Sequence, residues 1–389
     1  MFDFDNTPQR RGTNSMKWDV GENELPMWIA DMDFATAPAI TKALLARAEH
    51  GCYGYAIVPD AWYNTFISWW KRRHDFEMKP EWLQFCTGVV PAISSIVKRV
   101  TNHGDQVALL TPNFNVFYNS IENAGRTVAE CRLVYENGKF HIDFEALEKV
   151  LAHPLTTMFI FCNPHNPTGN IWSKEEIVKI SELCKKHGVL VLSDEIHCDI
   201  TEPGYKYVPY ASVSEECKMG SITCISASKA FNMAGLQAAA VCIPNLHLRE
   251  KIVRGLNSDE VAEPNCFAVE ATVAAFNEGE EWLNALMAYL FENRKYTEEY
   301  LKKHLPKVHV TPANATYVLW IDCGAFAKDT DDLCEFLREK TGLVLTSGMH
   351  YRGDSKTFVR MNVACSRSRL QDGLERFVKG LKEYLKCEK

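Results

Sequence analysis

From about Glu81 to Pro244 short apolar runs alternate with stretches of helical period. QVALLTP, TTMFIFCNP, VLVLSDE, ITCISAS and AAAVCIP are each bounded by polar or turn residues. Runs this short and this continuous predict strands buried on both faces, the pattern of a largely parallel sheet covered by helices. Between two of them, SKEEIVKISELCKKHG predicts a helix. Ser173 and Glu176 have the spacing of a capping box, and Gly188 stands where the helix stops. FCTGVVPA reads as a strand, a glycine turn and a helix start with Pro91 in its first turn.

Past Gly279 the pattern changes. EEWLNALMAYLFENRKYTEEYLKKHL predicts a long helix ending at Pro306. The alternating strands ATYVLWIDC and TFVRMNVAC follow, then a last amphipathic helix, RLQDGLERFVKGLKEYLK. The fold class is therefore α/β for a large domain, residues 46–284, beside a small α+β domain, residues 285–389. Residues 1–45 fall outside the alternation and are assigned to the small domain.

Composition narrows the function classes. Apolar residues make up 46% and charged residues 24% of the 389, as in ordinary globular proteins. No apolar run reaches the roughly eighteen residues of a membrane span, and the N-terminus has no apolar signal core. A net charge of −7 without a basic run argues against nucleic acid as partner. The fourteen cysteines form no C-x-x-C pair, and several sit inside apolar runs, which predicts a reduced, cytoplasmic protein. No metal site is expected: His304 and His309, the nearest histidine pair, flank Pro306.

In open parallel sheets ligands sit beyond the carboxyl ends of the strands. Those ends offer Asn166 in NPHNPTG, Asp194 and His197 in SDEIH, and Ser226, Ser228 and Lys229 in SASK. Arg360 comes from FVRMNVACSRS, and the helix opening at TGVVPA adds backbone amides. Each has a plain alternative. Lys229 alone reads as a solvated surface lysine, Asp194 as a helix cap, Asn166 as turn chemistry, and Arg360 as an ion-pair partner. Together they fit one chemistry. A lysine of lowered pKa condenses with an aldehyde cofactor, a carboxylate faces a pyridinium nitrogen, helix amides hold a phosphate, and an arginine fork takes a carboxylate.

NPHNPTG, SDEIHCD, SASKAFN and FVRMNVACSRS, in this order, resemble the fold-type I pyridoxal phosphate (PLP) enzymes of the class I/II aminotransferase superfamily. LPMWIADMDF, YGYA and SKAFNMAGL look more closely like the MalY/PatB-type cystathionine β-lyases, or C–S lyases. The resemblance runs from about Leu25 to the last helix. It implies an aspartate-aminotransferase-like large domain with a seven-stranded sheet, and PLP as cofactor. Lys229 would bond to the cofactor aldehyde, Asp194 would pair with the ring nitrogen, and Asn166 would bond the ring's 3-oxygen. Ser226 and the backbone of Val89 and Val90 would hold the phosphate, Phe114 would stack on the ring, and Arg360 would clamp the substrate carboxylate. Tyr55 would reach the cofactor of a second subunit, making the active unit a homodimer.

Two positions depart from the commoner aminotransferase pattern. Gln237 stands eight residues after the lysine, where a second basic residue is frequent, and His197 replaces a tyrosine three residues after the aspartate. The resemblance to the lyase subgroup accommodates both. The expected reaction is α,β-elimination on L-cystathionine or another cysteine thioether, giving a thiol, pyruvate and ammonia. Transamination would use the same residues, and a PLP-binding regulator of little turnover is the alternative from another class.

Overall fold

A computed structural model describes residues 2–387, and of Cys387 the backbone alone. Its central sheet has seven strands. In chain order these are β1 (Leu83–Cys86), β2 (Gln106–Thr111), β3 (Thr127–Arg132), β4 (Thr156–Cys162), β5 (Leu190–Asp194), β6 (Ser221–Ile225) and β7 (Ala239–Cys242). They lie in the order β1-β7-β6-β5-β4-β2-β3. Pairings among β2 to β6 are parallel, whereas β7 runs antiparallel to both β1 and β6. The five apolar runs thus all become strands, with AAAVCIP reversed.

Burial explains why the runs are continuous. Ile160, Leu192 and Ile222 on three adjacent strands have no accessible surface, and each such side chain contributes about 1.5–3 kcal/mol by leaving water. Helices cover both faces. Three of them are used below: α1 (Asp60–His74), α2 (Val89–Val100), whose first turn lines the cavity at the sheet's carboxyl edge, and α3 (Lys174–His187). At the start of α3, Ser173 Oγ accepts from Glu176 N–H at 3.2 Å while Ser173 N–H donates to the Glu176 carboxylate at 2.7 Å. Gly188 ends α3 in the left-handed region, at φ 68°, which a glycine adopts without Cβ strain.

Helix α4 (Glu280–His304) joins two cores. Its Trp282, Leu283, Leu286 and Leu290 pack with Trp62, Phe66, Phe231 and Phe276, whereas Leu301 belongs to a second cluster. That cluster gathers Leu319, Ile321, Val359 and Met361 from a four-stranded antiparallel sheet. The strands are β8 (His309–Val310), β9 (Val318–Asp322), β10 (Thr346–Ser347) and β11 (Phe358–Asn362), in the order β8-β9-β11-β10. The last helix, α5 (Arg367–Cys387), adds Leu370, Leu374 and Phe377.

The N-terminal segment serves both cores. Leu25–Pro26 pairs in parallel with Leu343–Val344, and Trp18, Leu25 and Met27 lie in the second cluster. Ala30, Met32, Phe34 and Ile40 lie in the first. Between them the chain crosses the carboxyl edge of the large sheet. Among the described residues, no helix is long and apolar enough to cross a membrane.

Candidate active site

Strand register sets the floor of the site. Asp194 is level with Cys162 of β4 and Cys224 of β6, so β4, β5 and β6 end together. Beyond these ends lies a cavity of about 280 Å³, whose wall includes Asn166, Asp194, His197 and Lys229. The volume is close to the roughly 300 Å³ at which small-molecule sites begin.

The cavity penalises charge. Burial pushes the Asp194 carboxyl up from 3.8 to about 7, aided by the neighbouring Glu195 charge and opposed by the Ile196 N–H and Lys229. That N–H donates to Asp194 Oδ1 at 3.1 Å. Lys229 follows β6, and its Nζ donates to the Ala30 carbonyl at 2.7 Å. Burial lowers its amine to about 8, Arg360 repels its charge, and Asp31 and Asp194 favour it. What remains accessible of this side chain borders the cavity, so the amine is short of water although the residue is not wholly covered. His197 is buried and driven down to about 3, first by burial and then by the charges of Lys229 and Arg360. It is a neutral imidazole, and its Nδ1 has no hydrogen-bond partner.

One end of the cavity is the start of α2. Gly88 caps the helix without a side-chain hydrogen bond, and no acidic residue stands in the first turn. The leading amides of Val89 and Val90 have no acceptor within the helix, and both residues line the cavity together with Phe114 and Gln237. Such a terminus suits an anion.

On the other side, β11 carries Arg360. Its Nη1 donates to Asn166 Oδ1 at 3.3 Å and its Nη2 to the Trp28 carbonyl at 2.9 Å. The guanidinium lies 5.2 Å from the centre of the Tyr351 ring. Arg360 is buried, its Nε has no partner, and among the described residues no carboxylate forms an ion pair with it. A buried cation without an anion is costly, which marks this fork as a place for a ligand carboxylate.

The structure therefore brings Lys229, Asp194, Asn166, His197, Phe114, Val89 and Val90 onto one cavity, with Arg360 bonded to its Asn166 edge. Two sequence candidates lie elsewhere. Ser226 is behind the wall: its hydroxyl donates to the Ala238 carbonyl at 2.6 Å and accepts from Ser228 N–H at 3.0 Å. Ser228, not Ser226, borders the cavity. Tyr55 is fully exposed in an irregular stretch between helices and stays outside the cavity wall of its own chain.

The loop after Asp194 is tied to α1. Asp199 accepts from Trp69 Nε1 at 3.0 Å, bonds His74 Nε2 at 3.0 Å and pairs with Arg73 at 3.4 Å. His74, Cys198 and Asp199 have possible ligand atoms within 4.8 Å of one another, and no ion is present. Asp199 is saturated by its indole, imidazole and guanidinium partners, which makes the group an ion-pair anchor.

The sequence pattern of the family Aminotransferase class I and II matches residues 14–377. The chain belongs to the class I and II aminotransferase family. Within it, cystathionine beta-lyase PatB of Bacillus subtilis (strain 168) is 40% identical over 381 residues, 96% of this chain and 98% of that protein. Protein MalY of Escherichia coli (strain K12) is 31% identical, covering 98% and 99% of the two chains. The PLP-bound C-S lyase from Staphylococcus hominis superposes with a TM-score of 0.92 at 30% identity, covering 98% of each chain. The seven-stranded sheet is thus the aspartate-aminotransferase-like fold of this family.

Several polar residues of the site were not picked out from the sequence. Tyr317 Oη donates to the Ala30 carbonyl at 3.0 Å, sharing that oxygen with Lys229. Asn232 and Asn362 bind backbone groups of residues 29–34. A signal existed for Asn232: it stands in the left-handed region at φ 53°, a conformation that asparagine tolerates best after glycine.

Proposed function

We propose that the protein is a PLP-dependent carbon–sulfur lyase that acts on L-cystathionine and related cysteine thioethers. The observation that carries this reading is the placement of Lys229 and Asp194 on adjacent strand ends of one cavity, beside a buried arginine that lacks a carboxylate. The donor set fits the cofactor: free helix amides for its phosphate, a buried carboxyl for its ring nitrogen, and a lowered lysine for its aldehyde. Bound there, PLP supplies a carbonyl that condenses with amines and a ring that accepts the electron pair of the substrate α-carbon.

The residues divide the remaining work. Asp194 would face the ring nitrogen, and a cation at that point would restore the charged carboxylate that burial alone suppresses. Val89 and Val90 would offer backbone N–H groups to the phosphate, Phe114 would cover a ring face, and Asn166 would bond the 3-oxygen. Ser226 holds the turn that presents Ser228 and Lys229. Arg360 grips the α-carboxylate in bidentate fashion, with Asn166 fixing the guanidinium plane. The Lys229 amine, when free, would take the substrate α-proton as general base. With a thiolate on the β-carbon, the electron pair left by that proton expels it. The C–S bond breaks, the thiolate takes up a proton, and water converts the three-carbon remainder into pyruvate and ammonia. Neutral His197 can give or accept a hydrogen bond beside the lysine without adding charge.

The same reading makes the active unit a homodimer. Tyr53, Tyr55 and Ile57 are exposed apolar residues on one irregular stretch, the kind of surface a partner covers, and Tyr55 would enter the neighbouring cavity. It also divides the chain into a large cofactor-binding domain, residues 46–284, and a small domain of residues 1–45 and 285–389, a reading supported by the cluster that Leu25, Leu319, Val359 and Leu374 share. A cytoplasmic location fits cysteines that are all free wherever their side chains are described.

The test follows pyruvate from L-cystathionine with the PLP-loaded protein and no added 2-oxo acid. Pyruvate should accumulate, and Lys229→Ala should lower the rate by about 10³-fold or more. Turnover that required an oxo-acid acceptor and returned a new amino acid would overturn the lyase reading. Undiminished turnover by Lys229→Ala would remove the mechanism.

A further inference from the structure

Residues 27–34 bring Ala30 to the cavity without helix or strand, yet seven of their eight carbonyls accept hydrogen bonds. Met27 O accepts from Asn362 N–H at 2.9 Å, and Trp28 O from Arg360 and Thr346, each at 2.9 Å. Asn362 Nδ2 donates to both Ile29 O and Asp31 O at 2.6 Å, gripping the two carbonyls that flank Ala30. Asn232 takes the next span: its Nδ2 donates to Met32 O at 2.9 Å and Phe34 O at 2.8 Å, and its Oδ1 accepts from Met32 N–H at 3.0 Å. Between the two clamps the Ala30 carbonyl points at Lys229 Nζ, 2.7 Å away.

We infer that Asn232 and Asn362 are positioning residues that lock this segment so that the Ala30 carbonyl receives the free amine of Lys229 and fixes its place on the cavity wall. The inference rests on the reading of Lys229 as the catalytic base. A lysine amine on four rotatable carbons is poorly placed by its own backbone, and a general base about 1 Å out of position loses about 10²-fold in rate. Lys229 has no carboxylate ion pair among the described residues, so the Ala30 oxygen is its anchor. One clamp follows Lys229 by three residues and the other follows Arg360 by two. The amine and the carboxylate-binding fork are thereby referred to the same strip of backbone.

The variants Asn232→Gly and Asn362→Ala separate this role from a general structural one. Glycine adopts the left-handed conformation of residue 232 freely. In Asn362→Ala the Ile29 carbonyl keeps Asp31 N–H and the Asp31 carbonyl keeps Lys17 Nζ as donors. Both proteins are therefore expected to fold. In cofactor-free protein, acetylation of Lys229 by acetic anhydride, read peptide by peptide by mass spectrometry across pH, reports the amine directly. The groups that face it are Arg360 from β11, Asp31 from the segment itself, Asp194 and His197 from the β5 end, and Tyr317, and neither substitution alters their charges.

A carbonyl acceptor favours the ammonium form, so loosening it should lower the labelling midpoint from about 8 by about half a unit to one unit. In the loaded enzyme kcat should fall about tenfold, with KM for cystathionine within about twofold. Folded variants that label Lys229 at the wild-type midpoint would overturn the inference even if their unfolding midpoints drop. Lys229→Ala measured alongside separates the two failures: an active Lys229→Ala sinks the catalytic reading, whereas an inactive one beside unshifted asparagine variants sinks only this inference.

Discussion

Asp194→Asn should make the cofactor-free protein more stable and the enzyme nearly inert. The carboxyl ionises near 3.8 when solvated and near 7 in the folded cavity. Between those values the unfolded chain has lost the proton that the folded chain retains, so stability falls as pH rises. A gap of about three units is worth about 4 kcal/mol at most. Part of it arises from Glu195, itself raised to about 7 by burial, and setting that share aside leaves about 2–3 kcal/mol. Asparagine keeps an oxygen for the Ile196 N–H and never ionises. At about pH 4 the two proteins should unfold at nearly the same urea concentration, and at about pH 8 the variant should be the more stable by that amount.

Urea unfolding followed by tryptophan fluorescence provides the measurement, since Trp62, Trp69 and Trp70 are fully buried. The loaded enzyme should respond in the opposite sense. Without the carboxylate the ring nitrogen has no anionic partner, and turnover should fall by about 10²-fold or more. Parallel stability curves for the two cofactor-free proteins across this range would refute the argument, because they would mean that Asp194 is ionised in the folded state without a cation to pair with.

Two further substitutions test other parts of the site. Arg360→Lys retains the charge but loses the fork that takes two carboxylate oxygens, so KM for cystathionine should rise about 10- to 100-fold with a smaller change in kcat, measured by steady-state kinetics. Tyr55→Ala should be weakly active alone and should complement Lys229→Ala on mixing. Half of the reassorted dimers are mixed and each holds one intact site of two, so about a quarter of wild-type activity should return. Complementation that never appears would place Tyr55 outside the neighbouring site.

Much of the chemistry was legible because it sits where chain pattern changes. Asp194 and Lys229 end apolar strands, and a polar group at that point is conspicuous in sequence. Asn166 stands in a turn motif just after a strand, and Arg360 is a lone cation inside an apolar strand. The direction of β7 was not legible, since a buried strand shows the same apolar run whichever way it points. Ser226 and Ser228 could not be ranked by type: both are hydroxyls near the lysine, and only the turn that commits Ser226 to Ala238 decides which one meets the cavity. Asn232 and Asn362 escaped for a different reason. They bind backbone 198 to 333 residues away in sequence, and a carbonyl leaves no mark in a residue pattern.

The direction of the pKa shifts explains why these pieces work as one site. Asp194 is pushed towards its neutral form, and so are Lys229 and His197. A surface of mixed charges would not do this; a cavity walled by buried side chains does. Its fixed positive elements are the α2 amides and Arg360, and its one lining carboxyl is Asp194. An anionic phosphate, a cationic ring nitrogen and a substrate carboxylate would each meet a partner that folding has left uncompensated. The free energy withheld by burying these groups alone becomes available when ligand charges arrive, which ties affinity for the cofactor to the cost of keeping the cavity without it.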